Sequence, residues 1–245
     1  MRESIFKIID NAPLTQTVYK MKLQGDVSDI TSSGQFVNIK LDGLYLRRPI
    51  SVCDCEDGVL TLIYKVVGKG TEQMAKMTAG EELNILTGLG NGYDISLSGD
   101  KPLLLGGGVG VPPLYMLAKK LIAEGKKVSV VLGFNTKEEI FCEEDFKALG
   151  ADVSVATADG SYGVKGFVTD ALKDIDYTYF YTCGPEPMLK ALYKVTATSG
   201  QFSFEERMGC GFGACMGCSC KTITGYKRIC KDGPVLEKEE ILWED

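Results

Sequence analysis

Residues 2–86 alternate apolar and polar side chains in short runs, most clearly at 17–23, 36–41 and 60–64. A two-residue period is typical of β-strands that bury one face. Turn-forming residues separate the runs at 11–13, 32–34, 42–43 and 56–58. Strands this close together favour an antiparallel barrel over strand–helix–strand units. The one helix predicted in this part of the chain covers 71–78.

From residue 101 the pattern changes to continuous apolar runs that alternate with helical periodicity. Strands are predicted at 102–105, 128–132, 152–157 and 177–182, and helices at 112–121, 143–149, 166–172 and 186–197. Strands that alternate with helices indicate a parallel, doubly wound sheet. A further strand at 202–208 leads into a cysteine-rich segment.

The chain is therefore predicted to be an α+β multidomain protein. We expect an antiparallel β-barrel domain over 1–99, a doubly wound α/β nucleotide domain over 100–200 and a small C-terminal lobe over 201–245. A lobe of about forty residues is too small to build its own hydrophobic core. We expect a metal cluster bound by its cysteines to hold it folded against the rest of the chain.

Four cysteines of this lobe, Cys210, Cys215, Cys218 and Cys230, are spaced C-x4-C-x2-C with a more distant fourth member. This spacing is typical of plant-type ferredoxins, in which one tight loop and one returning segment bind a 2Fe–2S cluster through four thiolates. Glycine and alanine between the cysteines let the loop wrap closely and point backbone N–H groups at the cluster sulfurs. The sequence therefore predicts a 2Fe–2S site.

Two other uses of cysteine compete with this interpretation. A structural zinc site prefers two C-x2-C pairs, whereas this chain has one, preceded by a four-residue gap. A disulfide framework suits a small secreted chain better than 245 residues with nine cysteines, an odd number. Cys220, beside the loop, competes with Cys218 as a ligand, but only Cys218 fits the C-x4-C-x2-C spacing.

Composition narrows the chemistry further. A net charge of −6 without a basic cluster argues against nucleic acid. No apolar run is long enough to span a membrane, and the start of the chain lacks a secretory apolar region, so we expect a reducing, cytoplasmic location. The absence of histidine excludes a Rieske centre, an imidazole zinc site and nucleophile–histidine pairs. An enzyme of this composition is expected to borrow its chemistry from a cofactor.

Two segments of the barrel region suit a phosphate-bearing ligand. Residues 48–51, Arg-Pro-Ile-Ser, place an arginine, whose planar fork donates two hydrogen bonds, three positions before a hydroxyl. Gly70 and Thr71 stand where a helix is predicted to begin, and their backbone N–H groups can face a pyrophosphate. An ordinary edge-strand arginine and an ordinary N-cap threonine are the alternative interpretations.

Two turns of the α/β region follow strands. Residues 106–110, Gly-Gly-Gly-Val-Gly, precede a helix that proline opens, so a pyrophosphate can approach backbone amides there. The loop departs from G-x-G-x-x-G, because residue 111 is valine. Residues 183–185, Cys-Gly-Pro, end the last strand at the ligand-binding edge of such a sheet, although, taken alone, this segment is better explained by a core cysteine before a turn. Residues 133–136 contain no acid and no arginine cluster, which favours NADH over NADPH.

Taken in chain order, the Arg-Pro-Ile-Ser segment, the glycine loop, the Cys-Gly-Pro turn and the four cysteines resemble the ferredoxin–NADP reductase superfamily. Because the cluster motif is C-terminal, the whole chain is similar to the electron-transfer subunits of dihydroorotate dehydrogenase B. Small subunits of sulfide dehydrogenases and of ferredoxin:NADP oxidoreductases share this layout and are the alternative.

The resemblance implies FAD and a 2Fe–2S cluster as cofactors and NAD(H) as substrate, with no acid–base catalytic residue on this chain. The residues that it implies for FAD are Arg48, Pro49, Ile50, Ser51, Lys65, Val66, Val67, Gly70 and Thr71. Those implied for NAD(H) are Gly107, Gly108, Gly110, Cys183 and Pro185. Those implied for the cluster are Cys210, Cys215, Cys218 and Cys230.

The same resemblance implies an electron-transfer role in pyrimidine biosynthesis. Electrons would pass between NAD(H) and the FMN of a dihydroorotate dehydrogenase catalytic subunit, where orotate forms, with net flow from dihydroorotate to NAD. Because no orotate site is evident in the sequence, a partner subunit is expected, in a heterotetramer with two copies of each chain.

Overall fold

The computed structural model describes residues 1–243; Glu244 and Asp245, the end of the predicted lobe, lie outside the described residues. The strands are β1 Arg2–Pro13, β2 Val18–Gln24, β3 Phe36–Lys40, β4 Arg48–Glu56, β5 Val59–Lys65, β6 Glu82–Leu89, β7 Pro102–Gly107, β8 Ser129–Phe134, β9 Asp152–Thr157, β10 Val164–Lys165, β11 Tyr179–Cys183, β12 Gly200–Ser203, β13 Ser219–Thr222, β14 Gly225–Arg228 and β15 Val235–Glu237. The helices are α1 Lys69–Lys76, α2 Tyr115–Ala123, α3 Glu143–Ala148 and α4 Glu186–Val195.

The first six strands close an antiparallel barrel in the order β1–β2–β5–β4–β3–β6, which confirms the predicted barrel. Its interior is filled by the apolar residues of the alternating pattern, and Phe6, Met21 and Leu62 are fully buried. Asn11 seats α1 on the barrel, because its side-chain amide donates to the carbonyls of Met74 at 2.9 Å and Met77 at 2.8 Å.

A seven-stranded sheet follows, in the order β10–β9–β8–β7–β11–β12–β15. All neighbours are parallel except β12 and β15, so the predicted doubly wound sheet is confirmed and gains an antiparallel edge. The strand order reverses between β7 and β11. In open sheets of this kind, ligands bind at that switch point.

The helix predicted at 166–172 is wrong, because this segment forms only a 3-10 turn at Asp170–Leu172. Gly166 has φ +125°, which no helix accepts, and the Asp170 carboxylate accepts from the Phe167 N–H at 2.8 Å. The side chain therefore organises a loop in place of the first helical turn. The strand predicted at 202–208 also ends early, at Ser203.

The barrel and the sheet share an apolar interface. Cys53 and Ile63 of the barrel belong to the same buried cluster as Leu114 and Leu117 of the sheet domain. At its rim the Lys119 ammonium reaches carboxylates of the barrel, with the Glu56 oxygen at 2.6 Å. Among residues 1–243, no helix is both long enough and apolar enough to cross a membrane.

The cysteine-rich segment lies between barrel and sheet. Phe36 of β3 shares a buried cluster with Phe202 of β12 and with Cys218 and Cys230. Asn91, which follows the barrel, accepts from the Val235 N–H at 3.1 Å and donates to the Val235 carbonyl at 2.7 Å. The segment is thus anchored to both of the larger units.

Candidate functional site

The N-terminus of α1 lies against Arg48, the first residue of β4. A Cβ atom built on Gly70 would stand 2.2 Å from Arg48 Nε, so only glycine lets the arginine lie this close to the helix. The guanidinium donates to the Leu46 carbonyl. The Thr71 hydroxyl accepts from the Val67 N–H at 2.9 Å and shapes the turn before the helix. A guanidinium beside the N–H groups of a first helical turn is a cradle that fits a pyrophosphate.

The other residues implied for FAD lie on β4 and on the end of β5, two paired strands. The half-buried members are Pro49, Ile50, Ser51, Lys65 and Val66. Val67 is 79% exposed, and Tyr45, just before β4, is 100% exposed. Apolar side chains left open beside a phosphate cradle suit the flat rings of a dinucleotide. The residues present therefore fit FAD.

A cavity of about 470 Å³ opens at the switch point of the sheet. The loop after β7 contributes Gly107, Gly108 and Gly110 to its lining, and the turn after β11 contributes Pro185. Lys65 of the barrel lines the same cavity. A cavity of this size and position suits a nucleotide, and its edge reaches the proposed flavin side of the barrel.

Two positions of this loop require glycine, each for a different geometric reason. Gly108 has φ +52°, and a Cβ atom there would meet nothing within 4 Å. A Cβ atom on Gly110 would stand 2.3 Å from the Cys183 carbonyl oxygen, so the loop packs directly on the end of β11. Cys183 is 1% exposed and lies behind the cavity wall. Burial, and then the charge of Glu205, raises the pKa of its thiol.

Two carboxylates that line this cavity were missed in the sequence analysis. Glu139 folds back onto the end of β8, where its carboxylate accepts from the Asn135 side chain at 2.8 Å and from the Asn135 N–H at 3.2 Å. The sequence pattern does not reveal Glu139, because the end of β8 contains no acidic residue and a 3-10 turn brings Glu139 back to that end. Glu205, after β12, is exposed at the mouth of the cavity, and partial desolvation by the neighbouring protein raises the pKa of its carboxyl.

The four cysteines of the C-x4-C-x2-C set fall into two pairs. The pKa of Cys210 responds to the side chain of Cys215, and the pKa of Cys230 responds to the side chain of Cys218, so the members of each pair lie close together. The Cys230 N–H also donates to Cys218 Sγ at 3.4 Å. Cys218 and Cys230 are each 2% exposed, whereas Cys215 is exposed. One pair therefore faces the interior and the other lies nearer solvent.

Two pairs of thiols suit a two-iron cluster. Within residues 1–243, no three Cys, His, Asp or Glu side chains converge as the ligands of a single metal ion would. A 2Fe–2S cluster takes two protein thiolates on each iron, because bridging sulfides fill the remaining positions. A zinc ion would instead draw four thiolates to one point. Two pairs of cysteine thiols fit the ligand set of a 2Fe–2S cluster.

Backbone N–H groups stabilise the thiolate of Cys210. Burial raises its pKa, but hydrogen bonds from the backbone of Phe212, Cys215 and Ala214 outweigh burial and lower the pKa to about 6. The Ala214 N–H lies 3.2 Å from Cys210 Sγ. At Cys230 burial and the bond to Cys218 raise the pKa instead. The outer part of the loop is thus preorganised for a bound, negatively charged sulfur.

The loop keeps its shape through glycine and one arginine. Gly211 and Gly213 have φ +77° and +91°. The Arg228 guanidinium donates to the Gly213 carbonyl at 2.8 Å and pairs with Asp232 at 3.0 Å. Cys220, on β13, lines a second cavity of about 580 Å³ with Trp243.

Comparison with known proteins places these features in a family. Residues 205–242 match the model of the iron-sulfur cluster binding domain of dihydroorotate dehydrogenase B, and residues 104–194 match an oxidoreductase NAD-binding domain. The chain is 46% identical over 242 residues to the dihydroorotate dehydrogenase B (NAD(+)) electron transfer subunit of Fusobacterium nucleatum, covering 92% of this chain and 93% of that protein. The subunit of the same name from Bacillus pumilus is 43% identical over 98% of both chains.

Solved structures agree on the architecture. A chain of the NADH-dependent reduced ferredoxin-NADP oxidoreductase, studied for flavin-based electron bifurcation, superposes with a TM-score of 0.88 at 30% identity, covering 97% of this chain and 90% of that one. A ferredoxin NADP+ reductase from Neisseria gonorrhoeae with bound FAD and NADP has a TM-score of 0.68 at 17% identity, over 79% of this chain and 90% of its own. This second likeness shows the fold alone.

Proposed function

The chain belongs to the family of dihydroorotate dehydrogenase B (NAD(+)) electron transfer subunits, and from this premise we propose how its residues carry electrons between NAD(H) and a catalytic partner. It is an NAD-linked oxidoreductase subunit that uses FAD and a 2Fe–2S cluster. We propose that the partner holds FMN and interconverts dihydroorotate and orotate in pyrimidine biosynthesis. A heterotetramer with two copies of each chain is part of the same proposal.

One observation carries the proposal: the barrel strands implied for FAD adjoin both other sites, β5 directly and β4 through its neighbour β3. Lys65, at the end of β5, lines the nucleotide cavity. Asn38 of β3 stands opposite Pro49 of β4 and donates to the Cys210 carbonyl at 3.3 Å. A flavin on β4 and β5 would thus lie between the nucleotide and the cluster, which is the order that electron transfer needs.

When bound, FAD would supply the chemistry that links a two-electron hydride donor to a one-electron 2Fe–2S acceptor. The residues of this chain bind and orient the participants. Arg48 and the α1 N-terminus hold the pyrophosphate of FAD, and Gly108 and Gly110 let the nicotinamide dinucleotide approach the loop backbone. Cys210, Cys215, Cys218 and Cys230 bind the cluster.

We propose that Glu139 makes NADH the preferred nucleotide. A carboxylate at the end of the second strand of such a sheet accepts hydrogen bonds from the ribose hydroxyls and repels a 2′-phosphate. Glu139→Gln is expected to raise the NADPH-to-NADH ratio of kcat/KM about tenfold, because like-charge repulsion is removed. The control is Glu138→Gln, since Glu138 is exposed and does not line the cavity. An unchanged ratio in Glu139→Gln would contradict this assignment.

The partner is proposed to dock on the exposed face of the cysteine lobe. Phe212 and Met216, on the cluster loop, are 45% and 53% exposed, and Tyr226, on the adjacent hairpin, is 71% exposed. The loop that carries Phe212 and Met216 also carries the exposed Cys215. Apolar side chains around the outer thiol pair support a docking surface that brings the cluster close to a second redox centre.

Anaerobically purified protein tests the function directly. We expect a yellow-brown preparation that contains FAD, iron and acid-labile sulfide and that bleaches with NADH. We also expect it to co-purify with a flavoprotein of different mass. Protein without iron and sulfide would overturn the proposal, and so would a chain that reduces orotate with NADH by itself.

A second candidate is the small subunit of a ferredoxin:NADP or sulfide-linked oxidoreductase. This candidate is supported by the 30% identity, over 97% of the chain, to the reduced ferredoxin-NADP oxidoreductase. Assays of the assembled complex with orotate, ferredoxin and polysulfide as acceptors separate the two.

We infer a cytoplasmic location, because cluster assembly needs free thiols and all nine cysteines are free.

A further inference from the structure

The outward face of β3 is covered by the cysteine lobe. Alternate residues of a strand face opposite sides, and Val37 and Ile39 lie in the barrel core. Phe36 instead packs with Cys218 and Cys230 in a separate buried cluster. Asn38, on the same outward face as Phe36, is only 1% exposed. A polar side chain is thus buried at the contact between barrel and lobe.

Asn38 makes one hydrogen bond to the lobe and another within the barrel. Its side-chain amide donates to the Cys210 carbonyl at 3.3 Å. A carbonyl can only accept, so the nitrogen is the atom that faces it. The Asn38 carbonyl accepts from the Arg47 guanidinium at 3.2 Å, and Arg47 is held in turn by Glu3 at 2.9 Å. Because Asn38 stands opposite Pro49, one residue joins the FAD strand to a cluster ligand.

Packing alone does not account for an asparagine here. Asn38 Oδ1 is buried without a hydrogen-bond partner, which is unfavourable. An apolar residue of similar size would fill the space without that oxygen. Gly211 supports a specific contact, because a Cβ atom on it would stand 2.2 Å from Asn38 Nδ2. The loop is therefore shaped to let this amide approach.

We propose that Asn38 is a positioning residue that fixes the Cys210 end of the loop, and with it the cluster, at a set distance from the flavin. This rests on the proposed function. A structural role predicts that loss of Asn38 lowers stability and changes nothing else. A positioning role predicts that the barrel stays folded while the cluster environment and the flavin-to-cluster electron transfer change.

The test uses the full-length holoprotein, anaerobically, with Asn38→Leu. Leucine keeps the volume and removes both the hydrogen bond and the unpartnered oxygen. Iron content and the EPR spectrum of the reduced cluster are measured, and stopped-flow absorbance follows flavin reduction and cluster reduction by NADH. We expect an unchanged flavin step, shifted EPR g-values and cluster reduction slowed by at least about tenfold, as small misplacements cause.

The matched control is Asn84→Leu. Asn84, on the neighbouring strand β6, also has a buried Oδ1 without a partner, but its contacts are with Glu3 and Arg47. We expect wild-type EPR and wild-type rates for this variant. The same change in both variants would overturn the proposal, as would wild-type EPR and rates in Asn38→Leu.

A second variant covers loss of the cluster from Asn38→Leu. Asn38→Asp keeps the shape but sets a second acceptor against the Cys210 carbonyl. Retained iron with a shifted EPR spectrum supports positioning, whereas iron loss in both Asn38 variants would overturn it in favour of a role in cluster assembly. Wild-type protein that lacks iron or fails to bleach with NADH would instead refute the proposed function itself.

Discussion

The sheet and the cysteine lobe are held together by opposite means. The sheet has its own core, in which Leu104, Leu105, Val130 and Val131 are fully buried. The lobe exposes many of its apolar side chains and relies on hydrogen bonds to Asn38 and Asn91, on Arg228 and on its cysteines. A unit built this way can leave part of its cluster loop exposed to a partner, because hydrogen bonds and a buried cluster shared with the barrel and the sheet, rather than a core of its own, hold it in place.

Removal of a cluster ligand is expected to cause the largest change in the lobe and little change in the sheet. Cys218→Ser is expected to abolish the 2Fe–2S cluster and loosen the lobe, while the barrel and sheet stay folded and NADH still reduces FAD. Iron analysis, limited proteolysis and flavin bleaching measure the three effects. Cys220→Ser is the control and should keep its iron, because Cys220 lines a different cavity. Equal iron loss in both variants would contradict the ligand assignment.

A cavity in the sheet should act on the whole chain. Leu104→Ala is expected to lower the free energy of unfolding by about 2–5 kcal/mol, because it leaves a void in a fully packed core. Thermal unfolding followed by circular dichroism checks this. Ile223→Ala, at a side chain of the lobe that is 61% exposed, should change the value by about 0.5 kcal/mol or less. Similar losses would mean that the lobe has a core of its own.

Loss of the arginine that clamps the loop should act locally. Arg228→Ala removes the bond to the Gly213 carbonyl and the pairing with Asp232, so we expect a loss of stability that is confined to the lobe. Faster iron release to a chelator, with unchanged thermal unfolding of the barrel, is the measurement. Arg2→Ala, which breaks an exposed ion pair with Asp26, should leave iron release unaltered.

The smallest effect is expected where the sheet leads into the lobe. Partial desolvation at the cavity raises the pKa of Glu205 above its usual value of 4.5, so the folded state favours the protonated carboxyl. That contribution to stability is complete below pH 4.5 and is lost as the pH rises through the raised pKa. Glu205→Gln should therefore unfold at a higher temperature than wild type at pH 8, with no difference near pH 4. A difference that is independent of pH would contradict it.

Local patterns predict local structure in this chain. Alternation at residues 36–41 and 60–64 identifies two barrel strands, because a two-residue period needs only the strand itself. The segment 166–172 misleads, because the decisive contact is the Asp170 carboxylate on a backbone N–H. The segment has a helical pattern, but a hydrogen bond to one side chain stabilises a loop there instead.

The candidate site divides in the same way. The cysteine spacing is readable because one short loop contains three of the four members of the set. Glu139, Glu205 and Asn38 are not readable, since each acts through contacts that chain folding creates. Asn38 and Cys210 are 172 residues apart in sequence, and no local pattern announces their hydrogen bond.

The antiparallel pairing of β12 and β15 makes the cysteine segment an insertion rather than a tail. Ser203 and Val235 face each other in that ladder, so the segment leaves the sheet and returns to it at neighbouring positions. Little closure entropy is lost when such an insert changes length. Residues 204–234 thus form an insert between two adjacent strands, and a related reductase would need counterparts of Phe36, Asn38 and Asn91 to hold the same insert in place.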